Sequence, residues 1–171
     1  YRSKLLNLTD ATKTTVLASG AGTFEGYSCV FVGGRNNQET GGKISFAHCD
    51  FRDYHTAALT LISTATVAPS VVNCVFAGSA NGLPISNSSA TVTLDGTMLV
   101  NNYYGKPNGA NVPLPTLQVA GPLARDETTL EPFAESRLVG VAQPAGVSWD
   151  FYGNPFRIRP AIGAVEIPPT F

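Results

Sequence analysis

The sequence is short of charge, of cysteine and of long apolar runs, and each shortage closes off a class of function. Charged residues make up 13% of the 171 positions, the formal net charge is −1, and the 11 Lys and Arg are scattered without forming a stripe. A nucleic-acid backbone is held by clustered cations, so nucleic acid is not expected as a partner. No apolar run approaches the roughly 20 residues that a membrane-spanning helix needs, so no membrane span is expected. Three cysteines are an odd number, which argues against a disulfide-stapled scaffold. With only 2 histidines beside them, and cysteines that read as core residues below, a zinc site lacks ligands. There is no Gly-x-Ser-x-Gly and no phosphate loop, since Gly20-Ala21-Gly22 lacks the rest of a nucleotide fingerprint. The chain opens on Tyr1 with no signal-like stretch, as expected of a processed mature chain or a piece of a longer one.

What the chain does have is a repeat. All three cysteines are followed two positions later by phenylalanine, in Ser28-Cys29-Val30-Phe31, His48-Cys49-Asp50-Phe51 and Asn73-Cys74-Val75-Phe76. They are 20 and 25 residues apart, and a fainter copy, Gly96-Thr97-Met98-Leu99, follows 23 residues after Cys74. Recurrence at this interval is the mark of stacked repeats. Apolar residues alternate ahead of each copy (Phe24, Ile44 and Val92, then Phe46, Val71 and Leu94), which says strand. Between Phe46 and Cys49 the alternation changes phase by one residue, so a bend is required. The bend is predicted at the small or polar column Ser28, His48, Asn73 and Gly96. Further strands are read at Ala58–Leu61 and Leu83–Ser86.

Three short strands per repeat predict an all-β fold. The expected form is a single-stranded right-handed parallel β-helix of about four to six coils, with very little helix and about 4.8 Å between coils. The competing arrangement is an antiparallel sandwich, which gives no reason for an inward Cys-x-Phe at regular intervals. One ladder is expected to run Cys29, Cys49, Cys74, Thr97, and the next Phe31, Phe51, Phe76, Leu99. The thiols are then buried, reduced spacers, because neighbouring ladder positions are too far apart for a disulfide. The chain reads as one domain: an N-terminal coil or cap over 1–23, regular coils over 24–100, a loop-rich excursion over 101–135 and a closing coil over 136–171. The excursion is crowded with prolines (Pro107, Pro113, Pro115, Pro122 and Pro132) and carries one plausible strand at Thr116–Val119.

The last part carries Asp150-Phe-Tyr-Gly153-Asn-Pro155 and then Pro160-Ala-Ile162-Gly163-Ala164-Val-Glu166. Over 136–166 this resembles the C-terminal end of secreted bacterial right-handed parallel β-helix (pectate-lyase-like) proteins, and the coils over 24–100 look generically like that family's repeats. The resemblance implies the fold and an extracellular or cell-surface carbohydrate setting, with polysaccharide or another glycan as partner, but no particular reaction. Read alone, the same segment is a turn at Gly153–Pro155 followed by a closing stretch in which Arg157 and Arg159 are placed to pair with Asp150 and Glu166.

The richest titratable cluster is Asp50 and Arg52, which alternate with inward Cys49 and Phe51, together with His55 in the turn that follows. Carboxylate, guanidinium and imidazole suit proton abstraction from a sugar or the grip of a uronate. Their neighbours Val30, Val75, Val32 and Ala77 are apolar, however, and the cluster comes from one coil, so an outward Asp50–Arg52 surface pair is the plainer reading. Tyr54, Tyr103, Tyr104 and Trp149, with Tyr152, are candidate sugar-stacking aromatics because they fall in turns. No cofactor and no metal ligands are expected: the resemblance leaves calcium open, but Asp50 and Asp53 alone do not make a site. The expected function is a C-terminal β-helix module of an extracellular carbohydrate-active or carbohydrate-binding protein, not a complete catalyst alone. The alternative is a structural, adhesive or filament-forming cell-surface subunit that self-associates through open coil ends.

Overall fold

The computed structural model describes residues 4–7, 14–54, 56–77, 83–95, 97–104 and 125–167, with the first segment described as backbone only. Among these residues are thirteen short strands and no α-helix. The strands are β1 (Lys4–Asn7), β2 (Thr14–Ala18), β3 (Thr23–Tyr27), β4 (Val30–Gly33), β5 (Arg35–Gln38), β6 (Lys43–Ala47) and β7 (Asp50–Arg52). They continue as β8 (Ala57–Leu61), β9 (Ser70–Val72), β10 (Val75–Ala77), β11 (Leu83–Asn87), β12 (Leu99–Val100) and β13 (Tyr103–Tyr104). Strands three apart in sequence pair in parallel, which gives three sheets. The first runs β1-β4-β7-β10-β13, the second β11-β8-β5-β2 and the third β12-β9-β6-β3. Every strand ladder among the described residues is parallel, which does not fit an antiparallel sandwich.

The inner faces of all three sheets contribute to one apolar cluster, with Ile44, Phe46 and Val71 from the third sheet, Phe31, Phe51 and Phe76 from the first, and Leu59, Leu61 and Ile85 from the second. Within it the phenylalanines stack as the repeat predicts: Phe31 and Phe51 lie 4.8 Å apart at 9°, and Phe51 and Phe76 lie 4.7 Å apart at 9°. Each such pair contributes about 0.5–1.5 kcal/mol beyond the area it buries. Phe46 packs edge-on to Phe31 and Phe51, tying the third sheet to the first.

The phase change falls on one residue per repeat. Ser28, His48, Asn73 and Asn101 hold φ of 49°, 51°, 55° and 54°, and each joins a strand of the third sheet to a strand of the first. A left-handed residue costs a side-chain-bearing residue about 1–2 kcal/mol, least for Asn, which hydrogen-bonds locally. The cysteine that follows points inward, and its thiol reaches back to a carbonyl two residues earlier: Cys29 to Tyr27 at 3.3 Å and Cys74 to Val72 at 3.3 Å. Cys49 reaches Gly26 at 3.3 Å and Ala47 at 3.5 Å. A small side chain with a weak donor suits this slot better than a purely apolar one. All three cysteines are free and buried.

The fourth copy is not where the sequence pattern placed it. Asn101 is the corner in place of Gly96, which itself lies outside the described residues, and Asn102 takes the cysteine slot, 28 residues after Cys74. Tyr104 pairs with Phe76 and stacks on it at 5.2 Å, where Leu99 was expected. Leu99 pairs instead with Val71, the place expected for Leu94. Asn102 supports the bend through its amide, accepting from Cys74 N at 2.8 Å and donating to Val71 O at 2.8 Å. The turns between the second and third sheets also stack closely. A Cβ on Gly42 would lie 2.2 Å from Ala18 O, so only glycine lets the β5–β6 turn sit on the β2–β3 turn. The expected strand at 116–119 lies outside the described residues, as do Pro107, Pro113, Pro115 and Pro122.

Phe51→Ala removes the middle ring of the stack and is expected to cost about 3–5 kcal/mol in urea denaturation. Denatured, unreduced protein is expected to titrate three thiols; fewer would contradict the free cysteines.

Candidate functional site

The cluster expected around Asp50 does not assemble as a site. Asp50 does face away from the inner core, as its alternation with Phe51 requires, but it is 1% exposed because a second layer covers that face. Its Oδ1 accepts from Arg125 Nη1 and its Oδ2 accepts from Ala164 N at 2.7 Å. Its partner is therefore Arg125, 75 positions away, rather than Arg52 as expected. Burial works to lower the Arg125 pKa, but coulombic attraction to Asp50 and the hydrogen bond Arg125 donates to it, with help from Glu127, together raise it. Arg52 is half-buried, and His55 lies outside the described residues. Tyr54, Tyr103 and Tyr104 are each 2% exposed, so none is a sugar platform, and Tyr103 and Tyr104 are ladder residues of β13 rather than turn residues. Trp149 and Tyr152 are exposed, at 53% and 55%.

The covering layer is the segment 125–166. Leu130, Ala164 and Val165 pack on Val30 and Val32, while Leu138, Ala142 and Ile162 pack on Val75 and Tyr103. These apolar outward positions, which argued against a groove, are the seat of this layer. The corner column holds it by polar contacts. Ser28 Oγ donates to Trp149 O at 2.7 Å, and Asn101 Nδ2 donates to Val141 O at 2.6 Å. Asn73 grips Gln143 twice, donating from Nδ2 to its O at 2.7 Å and accepting from its N at 3.0 Å. His48 lies against Phe156 at 4.3 Å between ring centres.

The terminal motif reads directly onto this closure. Asp150 Oδ1 accepts from Asn154 N at 2.7 Å, closing the turn at Gly153, while its Oδ2 accepts from Glu166 N at 3.1 Å. Glu166 in turn accepts from Ala161 N at 3.0 Å and Ile167 N at 2.9 Å. Both carboxylates, expected opposite Arg157 and Arg159, thus take up main-chain hydrogens. Gly163 holds φ 108°, and a Cβ there would lie 2.9 Å from Asp50 Oδ2. The glycine is required by the close approach that lets Ala164 N reach the carboxylate.

Among the described residues, a cleft lies on each side of the ridge Pro144-Ala145. The first, about 390 Å³, lies between this ridge and Phe156–Ile158 and reaches His48. Burial pushes the His48 pKa down from 6.5 to about 4, against the pull of the Ala161 and Gly163 carbonyls. The group is depressed on folding, so its contribution to stability, roughly 3 kcal/mol, is present above about pH 6.5 and lost as pH falls towards 4.

The second cleft, about 380 Å³, runs across the strands on the outer face of the third sheet, and Gln143–Ala145 form one wall. In-register pairing sets two rows in it: Glu25, Ser45 and Ser70, and beside them Tyr27, Ala47, Val72 and Val100. Lys43 lies at its edge on β6. The Tyr27 hydroxyl donates to Glu25 at 2.9 Å, which raises its pKa. A ring, hydroxyls, an ammonium and a carboxylate over a floor of small side chains suit hydrogen bonding and stacking on a polyhydroxylated chain. These residues were missed, although alternation with inward Phe24, Ile44 and Val71 marks them as outward. Sequence alone does not say which outward face stays uncovered.

No group of three or more His, Cys, Asp or Glu placed to hold a metal ion occurs among the described residues. The sequence holds two Asn-x-Ser/Thr glycosylation sequons: in Asn87-Ser88-Ser89 the Asn87 side chain donates to Val92 O at 2.8 Å and accepts from Ser89 N at 3.0 Å, while Asn7-Leu8-Thr9 runs out of the described residues after Asn7.

Asp50→Ala strands Arg125 in the covering layer, and a loss of about 3–5 kcal/mol is expected in denaturant unfolding. Arg52→Ala, on the half-buried neighbour, is expected to cost far less; equal losses would contradict a structural role for the Asp50–Arg125 pair. Comparison of the chain with family models, curated proteins and solved structures finds no match.

Proposed function

We propose that the chain is a right-handed parallel β-helix module of an extracellular carbohydrate-binding protein, and that it holds a glycan along the outer face of its third sheet. The observation that carries the reading is the open cleft of about 380 Å³ with its two in-register rows of side chains. Strands three apart pair in all three sheets, and parallel crossovers within one sheet are right-handed in about 98% of cases. Rows at strand spacing, about 4.8 Å, line up successive side chains along a polymer laid across them. The resemblance of residues 136–166 supplies the extracellular setting. The role is binding rather than catalysis, because Asp50 is committed to Arg125 and to the covering layer.

Titration calorimetry against acidic and neutral polysaccharides tests the proposal. Binding is expected, and Tyr27→Ala should weaken it about tenfold, the loss of roughly one stacking contact. A folded chain that binds no glycan sinks the reading. A self-associating structural subunit is the second reading, favoured by β2 and β3, which among the described residues end their sheets with one hydrogen-bonded neighbour each. Size-exclusion chromatography separates it: a chain that stays monomeric at high concentration removes this alternative.

A further inference from the structure

His48 sits where the third sheet turns into the first and where the covering layer lies over both. Its Nε2 is 3.0 Å from Asn73 Nδ2. The orientation of that amide is fixed by other partners. Asn73 Oδ1 accepts from Gln143 N at 3.0 Å and from Asn101 Nδ2 at 3.1 Å, and Nδ2 donates to Gln143 O at 2.7 Å. Nε2 is therefore the acceptor of the neutral ring and the ring proton is on Nδ1, which closes no hydrogen bond of good geometry although the Ala161 and Gly163 carbonyls lie near enough to favour the charged ring. A second proton must go to Nε2, where it meets the amide hydrogens of Asn73 with no acceptor between them. The amide can answer only by turning its oxygen to the ring, and that withdraws Oδ1 from Gln143 and Asn101.

The charged groups around the ring give no relief. Asp50, which opens the strand after the corner, is taken by Arg125 and Ala164, and Arg125 also pairs with Glu127. Asp150 and Glu166 in the covering layer accept main-chain hydrogens, and Arg159 is exposed. Arg157 lines the same cleft as His48.

We propose that His48 is an acid latch on the covering layer: its protonation turns Asn73 away from Gln143 and frees the Gln143–Ala145 wall of the groove. Burial, which already holds the ring neutral, sets the switch in the acid range. The consequence for a bound glycan rests on the function proposed above; the latch itself does not.

Amide hydrogen exchange on the full chain, corrected for the intrinsic effect of pH, reads the latch directly. Protection over 141–148 is expected to fall at least about tenfold between pH 6 and 4 while β6–β10 keep theirs, and His48→Asn, which supplies the side chain already used at the two following corners, should remove the step. Persistence of the step in His48→Asn overturns the proposal, as does simultaneous loss over β6–β10. Imidazole ¹⁵N NMR of the unaltered chain serves even if the variant folds poorly. The ring must titrate with the same midpoint as the loss of protection, and a ring that stays neutral through it overturns the latch. Opening without binding of any glycan at any pH supports the latch and refutes the glycan groove.

Discussion

At each passage from the third sheet to the first, one residue bearing a side chain holds a positive φ, and both the inner core and the outer closure hang on it. The left-handed corner shifts the alternation by one, so that Phe46 and Phe51 can both face inward although five positions separate them. Without that shift one of the two rings would stand in solvent. The same geometry throws the corner side chain outward, away from the crowded core. Glycine would relieve the backbone but leave nothing to hold what lies outside. Ser, His and Asn tolerate the bend and retain a polar end, and three of the four spend it on the main chain of the covering layer.

The outer layer follows from this column. Apolar residues on the outside of the first sheet would be an exposed patch unless covered. The segment 125–166 covers them and brings its own charged groups into the interior. A buried ion pair repays its desolvation only when the geometry is good and the remaining lone pairs are used. Asp50 meets that condition, because Ala164 N takes the oxygen that Arg125 leaves, and Gly163 permits the approach. Asp150 and Glu166 meet it through backbone amides. The closing motif is thus a set of acceptor-to-amide contacts rather than a surface decoration.

Coverage of one face directs attention to another. The third sheet keeps an open outer surface, and the edge of the covering layer at Gln143–Ala145 becomes one wall of its cleft. Asn73 joins that wall to the corner column and, through His48, to a group that changes charge in the acid range. Structure at the corner and access to the groove are coupled because one amide serves both.

Much of the inside of this protein was legible in its sequence. The Cys-x-Phe spacing located three corners, the stacked rings and the buried thiols, because period-2 alternation and steric demands at a bend are local and leave a mark on every repeat. The fourth corner escaped, since its copy substitutes Asn102 for cysteine and Tyr104 for phenylalanine after a longer interval; an Asn followed by an aromatic three positions later, as in Asn73 and Phe76, was the signal. Sequence also fixed the direction of Asp50, outward from the core. Only the tertiary structure decided what it met there. Whether an outward residue is solvated, buried against a returning segment or left in a cleft depends on contacts 75 to 114 positions apart, as between Asp50 and Arg125 or Ala164. Such contacts carry no periodicity, so alternation tells inside from outside but not covered from open.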